Sequence, residues 1–222
     1  MSLVLNIDTA TSTASVSIAR DGMILQAMKN EVQKDHAAFV HTAVRDLLDN
    51  LKLKTTDLDA VAVSAGPGSY TGLRVGFAAA KGLCYALDIS LISISTLLLM
   101  TKAVVKENPG LKNYLFCPMI DARRMEVYTA LYDNDMHELK HAHSLILSQN
   151  SFDNLLAEKN ILFFGNGSKK WQSLCNADRA SFSESFEILT VFAELSFQYF
   201  CDRNFTQLSL SVPLYAKEFH SE

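Results

Sequence analysis

The stretch "VSAGPGSYTGLRVG", Val63–Gly76, lies between an apolar run and a long apolar segment. It holds four glycines and one proline within eleven positions. A strand, a glycine-rich loop and a helix in this order can hold an anion on backbone N–H groups at the helix start. The spacing matches neither GxGxxG, because Thr71 stands where glycine is needed, nor GxxxxGK[ST]. Pro67 also has no N–H to donate. The alternative is a tight turn in which the glycines supply unusual dihedral angles.

Composition limits the classes of protein that this chain can belong to. It has 222 residues, is 49% hydrophobic and carries a formal net charge of −4, so it can bury a sizeable core in one or two domains. A protein that binds nucleic acid alone usually carries a strong positive patch, which this balance disfavours. The four cysteines form no CxxC pair, so no zinc knuckle is indicated. We see no signal peptide or bilayer-spanning stretch and expect a cytoplasmic protein without membrane contact.

Hydrophobic periodicity predicts an α/β chain that opens with three strands. The strand "LVLNID" is followed by a short hydroxyl-rich turn, and a helix begins after Asp35, a good N-cap residue. The order β-β-β-α-β-α-β-α ends near "ENPGLKN" (107–113), the best candidate for a domain boundary. After it, the chain again shows a strand, an Asp, a short turn and a strand. We therefore expect a first lobe at 1–106, a second lobe at 107–204, and a segment 205–222 that packs back on the first lobe.

The predicted helix at 71–87 is apolar on every face, with Arg74 and Lys81 as its only charged residues. Such a helix is normally buried on more than one side. Gly76, Ala79 and Gly82 would let a neighbouring backbone approach closely. Either this helix is enclosed in the chain's own core, or it docks against a partner, and the small size of the domain favours a partner.

The remaining polar residues give weaker signals. His36 and His41 lie five residues apart, which places them about 140° apart on a helix, so they do not share a face for a metal. The three histidines between 137 and 143 have no carboxylate-rich frame and are expected at the surface. In "DARRMEVY" (121–128), Arg123 and Arg124 could bind a phosphate or carboxylate, or the stretch could be a solvated turn with local ion pairs.

Four blocks of this sequence resemble the bacterial TsaB (YeaZ) family. They are "IDTATSTASVSI", "SAGPGSYTGLRVGFAAAKGL", "DARRMEVY" and "FFGNGS", in the family's order, and they extend from Leu3 to about Gly167. The GPGS-[YF]-TGLR-x-G block is highly specific. The C-terminal "PLYAKEF" departs from the Tyr-Leu-Arg-like end that is frequent in the family.

The resemblance implies the actin/Hsp70/sugar-kinase type of α/β fold with two similar lobes. It also implies a role in making threonylcarbamoyladenosine, next to the anticodon of tRNA. In that system the paralogue TsaD binds metal and transfers the threonylcarbamoyl group, TsaB binds and activates TsaD, and the ATPase TsaE joins them. A homodimer is expected when TsaD is absent, and tRNA is reached only through the complex. An older label for the family is glycoprotease-like.

The resemblance further implies which residues act. The helices at about 35–49 and 71–87 would form the interface with TsaD or a second copy, through Phe39, Val40, His41, Val44, Leu73, Val75, Gly76, Ala79, Gly82, Tyr85 and Ala86. We predict that Gly76→Arg or Ala79→Glu abolishes association while the monomer stays folded. A vestigial nucleotide or loop site would comprise Asp8, Thr9, Thr11, Gly66, Pro67, Gly68, Ser69, Thr71, Gly72, Arg74, Asp121, Arg123 and Arg124.

No catalytic residue, metal or cofactor is expected in the isolated chain. The turn Asp121–Arg124 has no glycine, which argues against ordinary ATP hydrolysis, so ATP or ADP is expected only at a complex interface. The paralogue's metal needs two histidines four residues apart on a helix, whereas the spacing here is five. The rival interpretations are an active nucleotide-dependent enzyme of the same fold and a metallopeptidase.

Overall fold

A computed structural model describes residues 1–32, 35–183 and 186–216 of the chain. The chain divides into two compact units. Among the described residues, the first unit comprises Met1–Thr96 and Ile188–Leu214, and the second comprises those of Leu97–Glu187 together with Tyr215 and Ala216. No helix among the described residues is both long and apolar enough to cross a bilayer.

The described part of the chain contains both strands and α-helices, with three consecutive strands at 3–30 and again at 114–146. The strands are β1 Leu3–Asp8, β2 Ala14–Arg20, β3 Met23–Asn30, β4 Ala60–Gly66, β5 Ser90–Ser95, β6 Tyr114–Asp121, β7 Glu126–Tyr132, β8 Glu138–Ile146, β9 Asn160–Phe164 and β10 Ala180–Ser183. The α-helices are α1 His36–Leu51, α2 Tyr70–Leu87, α3 Thr96–Glu107, α4 Asp153–Leu156, α5 Ser168–Gln172 and α6 Ile188–Cys201. A 3-10 turn covers Thr55–Asp57.

The first unit is built on a five-stranded sheet of order β3-β2-β1-β4-β5. β1 pairs antiparallel with β2 and parallel with β4, and β5 continues parallel to β4. Alternate residues of β1, such as Leu5 and Ile7, pack with α1 and α2 in one buried cluster. The helix α6 contacts β1, β2, β3 and β5 and shares no residue with that cluster, so it covers the other face of the sheet.

The second unit repeats this topology. Its sheet has the order β10-β9-β6-β7-β8, with β6 antiparallel to β7 and parallel to β9. Two buried clusters lie on its faces, one around Met119 and Phe163 and the other around Phe116 and Phe164. The same order of pairing in both sheets confirms the expected actin/Hsp70/sugar-kinase type of α/β fold.

The unit boundaries differ from the predicted lobes because two helices pack away from their neighbours in sequence. Leu97, Met100 and Val104 of α3 are buried with Phe116 of the second sheet. The first segment of the first unit therefore ends at Thr96 rather than near residue 106. The helix α6, which we expected in the second lobe, belongs to the first unit.

The segment after α6 packs on the first unit as far as Leu214. The Thr206 N–H donates to the Leu91 carbonyl at 2.8 Å, and the Leu214 N–H donates to the Ala65 carbonyl at 2.7 Å. Tyr215 and the residue after it group with the second unit, and residues 217–222 of the predicted segment lie outside the described residues.

The sequence signals for the starts of α1 and α2 were right to within one residue, but one predicted capping contact is absent. Asp35 is the N-cap residue of α1, but its side chain makes no capping hydrogen bond. The helix predicted from Thr71 begins one residue earlier, at Tyr70, and Ser69 is its cap. Four elements were not predicted: the strands β8 and β10 and the short helices α4 and α5.

Candidate functional site

The loop after β4 lies directly against the turn after β1. The Ser69 N–H donates to the Ala10 carbonyl at 2.7 Å, and Thr9 Oγ1 donates to the Gly72 carbonyl at 2.7 Å. The Ser69 hydroxyl also accepts the Gly72 N–H at 3.3 Å, which caps α2. Loop and turn therefore form one hydrogen-bonded layer at the carboxyl ends of β1 and β4.

Three glycines of the quoted stretch make this contact close enough. A Cβ on Gly68 would clash with the Ala10 carbonyl, and a Cβ on Gly72 would clash with the Thr9 carbonyl. A Cβ on Gly76 would clash with Thr9 Oγ1. The space that a side chain would occupy at each position is thus filled by the β1–β2 turn.

Three backbone donors of the loop are already used within the first unit. The Gly66 N–H donates to Thr96 Oγ1 at 3.1 Å, the Ser69 and Gly72 N–H groups are engaged as described, and Pro67 has none. Gly66 adopts a left-handed φ of 101°, where a side chain would be strained. This geometry favours the tight-turn alternative, in which the loop fixes the start of α2. The vestigial nucleotide site expected around it stays a prediction.

Asp8 ends β1 beneath this layer and is fully buried. Its Oδ1 accepts the Ser64 hydroxyl at 2.6 Å and the Ala10 N–H at 3.0 Å. Burial raises the pKa of the Asp8 carboxyl, although the two hydrogen bonds and the nearby charge of His36 act in the opposite direction. Asp8 is therefore a hydrogen-bonded anchor for the turn, held in surroundings that disfavour its charge.

The other side chains predicted for this site lie nearer the surface. Thr71 and Arg74 are exposed, and the Arg74 guanidinium carbon lies 4.0 Å from the centre of the Tyr70 ring, in a cation–π contact. Thr11 is half-buried, and its hydroxyl donates to the Thr13 carbonyl at 3.3 Å.

The second unit contains the same relationship between a glycine loop and a turn. Asn166 lies in the loop after β9, and its Oδ1 accepts a 2.9 Å hydrogen bond from the N–H of Asp121, the last residue of β6. The Gly167 N–H donates to the Met119 carbonyl at 3.0 Å. Asp121 also pairs with Lys170 at 2.7 Å. The "FFGNGS" block is thus the counterpart of the loop after β4, since β9 and β4 hold equivalent places in their sheets.

Both arginines of this second turn adopt left-handed backbone conformations. Arg123 has a φ of 72° and Arg124 a φ of 46°, a region that costs roughly 1–2 kcal/mol for a residue with a Cβ. The Arg123 N–H donates to Asp121 Oδ1 at 2.6 Å, which holds the turn in place. Both side chains are exposed, so the turn presents two guanidinium groups to solvent.

The helices α1 and α2 pack side by side on the first sheet. Five of the predicted interface residues are buried inside the unit, which corrects the predicted set: Val40, Val44, Leu73, Gly76 and Ala79. They offer no surface to a partner, because the chain's own core already covers them. Gly76→Arg is accordingly expected to disrupt the fold rather than to spare it.

A solvent-facing surface remains, which we call the α1–α2 face. From the predicted set it holds the exposed residues His41, Gly82, Tyr85 and Ala86 and the half-buried residues Phe39 and Val75. Sequence reasoning missed its other exposed small residues, Ala37, Ala38 and Ala78. Their spacing of three to four residues from predicted members could have indicated them.

Two residues of the α1–α2 face are unusual for a water-exposed helix. Tyr85 is 83% exposed. A Cβ on Gly82 would meet nothing within 4 Å, so nothing in the first unit requires glycine there. Glycine inside a helix costs roughly 1 kcal/mol relative to alanine, and this cost has no compensation within the described chain.

The histidines do not converge on a metal in the way that a helical pair would. His36 is buried and His41 is exposed. On the β7–β8 turn, Asp133, Asp135 and His137 bring one ligand-type atom each within 4.8 Å of one another, which is a carboxylate frame that the sequence reading overlooked.

Asp133 organises that turn through direct contacts. Its Oδ1 accepts the N–H groups of Asp135 and His137, both at 2.9 Å, and its Oδ2 lies 3.0 Å from His137 Nδ1. Desolvation is the largest single influence on the pKa of Asp133 and raises it, but the hydrogen bonds together with the charge of His137 outweigh it, and the pKa lies below its usual value. These hydrogen bonds stabilise an exposed turn, and they explain why the three side chains lie together.

Comparison with known proteins shows the family of this chain. The family model described as "TsaD: tRNA N6-adenosine threonylcarbamoyltransferase" matches residues 28–201, well over half of the chain. The chain belongs to this family, in its TsaB (YeaZ) branch. The tRNA threonylcarbamoyladenosine biosynthesis protein TsaB of Bacillus subtilis (strain 168) is 34% identical over 129 residues, which cover 58% of this chain and 54% of that protein. The protein of the same name from Escherichia coli (strain K12) is 34% identical over 138 residues, covering 62% and 58%.

The matched region thus spans less than two thirds of these TsaB relatives. A solved structure described as "YeaZ from Pseudomonas aeruginosa" superposes with a TM-score of 0.76 at 22% identity, over 97% of this chain and all of that one. At this identity the likeness shows that the TsaB-branch chain has the YeaZ fold.

Proposed function

We propose that this chain is a non-catalytic subunit that binds and activates a TsaD paralogue for threonylcarbamoyl transfer to adenosine next to the anticodon of tRNA. TsaE is the expected third component, and tRNA is reached through the complex. Membership of the family and the names of the TsaB relatives support the biosynthetic role. The α1–α2 face supports the role of a partner.

The observation that carries the proposal is Gly82 beside Tyr85. A glycine that no neighbour requires weakens α2, and an almost fully exposed tyrosine gains nothing from the chain's own core. Both are explained if a second protein packs against them, since glycine allows close backbone approach and buried tyrosines often dominate interface energy. A TsaD paralogue is the primary occupant, and a second copy of this chain replaces it when TsaD is absent.

The test is titration of the chain with the TsaD paralogue from the same genome, by isothermal calorimetry. Tyr85→Ala is expected to weaken binding by at least about thirtyfold, the scale of an interface hot spot. Gly82→Leu is expected to weaken binding comparably, because its side chain would hold the partner away. A denaturant melt of each variant confirms that folding is retained.

Gln198→Leu serves as the matched control, since Gln198 is exposed on a helix of the same unit, outside the α1–α2 face. Its affinity should equal that of the wild type. If Tyr85→Ala and Gly82→Leu both bind as the wild type does, the α1–α2 face is not the docking surface. If the wild type itself does not bind or activate TsaD, the proposed function fails.

Any ATP or ADP is proposed to sit only where this chain meets its partner. The loop after β4 supports this, because Thr9 and Ala10 occupy the space beside its glycines. Several of its N–H groups also donate to atoms of the first unit. Tight ATP binding by the isolated chain would instead favour a nucleotide-dependent enzyme. The separation of buried His36 from exposed His41 argues against a metallopeptidase built on that pair.

A further inference from the structure

A cavity of about 700 Å³ opens in the first unit at the sheet edge where β1, β4 and β5 begin. This is the opposite edge from the loop after β4. Its lining includes Asp21, Asp59 and Asp88, which come from three different connections between elements. No role has been given to this cavity so far.

The charges around the cavity are predominantly negative. Its described lining holds three carboxylates against two cationic groups, the Arg203 guanidinium and the Met1 α-amino group. The helix α2 ends directly before Asp88, and α6 ends at Cys201, which also lines the cavity. Helix C-termini carry partial negative charge, so both helix ends strengthen the negative potential there.

The lining is also rich in aromatic side chains. They are Phe197, Phe200 and Phe205, and the rings of Phe200 and Phe205 meet edge-to-face with centroids 5.8 Å apart. Phe205 is 39% exposed. Aromatic faces attract organic cations, and they pack against the methylene groups that such cations carry.

We infer that this cavity binds an organic cation with an aliphatic body, either an ammonium or a guanidinium group. The carboxylates would hold the charged end, and the phenylalanine wall would hold the methylene chain. The ligand could be a free polyamine or a lysine or arginine side chain of another protein. The net negative charge of the lining disfavours an inorganic anion or a phosphorylated metabolite.

The three carboxylates are not equivalent in this respect. Asp21 Oδ1 accepts the Ser2 N–H and Asp59 Oδ2 accepts the Leu3 N–H, both at 2.7 Å, so these two also hold β1 in place. Within the described part of the chain, no residue donates to the Asp88 carboxylate. It stands at the negative end of α2, where a carboxylate is unfavourable, and a bound cation would reverse that cost.

The test uses Cys201, an exposed thiol in the cavity wall. Its alkylation by iodoacetamide is followed by peptide mass spectrometry in the full-length protein. Spermidine should slow alkylation of Cys201 in a saturable manner and leave Cys175 of the second unit unaffected. N-acetyl-arginine amide is titrated in parallel, and the tighter of the two ligands identifies the source as a free polyamine or a side chain.

Asp88→Asn should weaken spermidine protection by about fivefold, the scale of one exposed charge pair. The control Asp178→Asn removes the same charge at an exposed site of the second unit and should protect as the wild type does. Phe200→Leu, checked for folding by thermal melting, should also weaken protection. The inference is overturned if neither ligand protects Cys201, if sodium chloride of equal ionic strength protects equally, or if Asp88→Asn titrates like the wild type.

Discussion

The hydroxyl of Thr9 donates a 2.7 Å hydrogen bond to the carbonyl of Gly72. This bond joins the turn after β1 to the first turn of α2, so the start of the helix that carries the α1–α2 face is set by a residue more than sixty positions earlier. The glycine-rich loop acts through this contact, because only residues without a Cβ can approach the turn so closely.

Removal of that hydroxyl should destabilise the first unit. Thr9→Val keeps the shape of the side chain but loses a buried hydrogen bond, and we expect the free energy of unfolding to fall by about 1 kcal/mol. Urea unfolding measures the change. Thr9→Ser keeps the donor and is the control; a loss for the serine variant as large as for valine would contradict this role of the hydroxyl.

The two glycines of α2 should respond to alanine in opposite directions. Gly76→Ala places a methyl group against Thr9 Oγ1 and should cost about 1–3 kcal/mol through overpacking. Gly82→Ala meets open space and should gain up to about 1 kcal/mol in helix propensity. Denaturant midpoints of the two variants measure the contrast. Equal effects would mean that the packing of Gly76 does not depend on Thr9.

Asp8 should make stability depend on pH. Burial raises the folded pKa of Asp8 above its unfolded value of about 4, so its contribution is fully present below the unfolded pKa and is lost as pH rises through the folded pKa. Asp8→Asn cannot ionise and keeps an acceptor oxygen. Its stability relative to the wild type, measured in urea, should therefore increase from pH 4 upward. A difference that is constant with pH would show that the folded pKa of Asp8 equals its unfolded pKa and would contradict this prediction.

A glycine at position 124 should relieve backbone strain in the turn after β6. Arg124→Gly replaces a side chain at a φ of 46° and should raise the free energy of unfolding by up to about 1 kcal/mol, after the entropy of the unfolded glycine is subtracted. Thermal unfolding measures the gain. Arg20→Gly, on the strand β2, has no such strain and should lose stability instead. A loss at both positions would mean that contacts of the Arg124 side chain outweigh its backbone cost.

Strong periodic patterns made the core elements predictable, and their absence explains the misses. The strand β8 reads "ELKHAHSLI" and is largely exposed at a sheet edge, so it shows no apolar alternation to detect. The helices α4 and α5 have four and five residues, which is too short for a helical stripe. The repeated opening of strand, Asp, turn and strand was visible, and it correctly indicated two similar sheets.

The site was less predictable because sequence does not say what fills the space beside a glycine. Gly76 and Gly82 look equivalent in "RVGFAAAKGL", yet Thr9 fills the space of the first and nothing within the unit fills that of the second. Val40 and Leu73 are buried because they lie on the sheet side of their helices, and the sequence alone does not show which side that is. The placement of α3 and α6 in their units depends on contacts between residues far apart in the chain, which local patterns do not encode.

The first unit is interrupted by the segment Leu97–Glu187 of the second, because α6 returns to a sheet whose strands are all made before residue 97. On the ribosome, the residues between are added over roughly five to twenty seconds. During that interval the face of the first sheet that α6 will cover is open to water. We therefore expect the nascent chain to expose an apolar sheet face until α6 is made, while the sheet of the second unit, complete by residue 183, has time to form first.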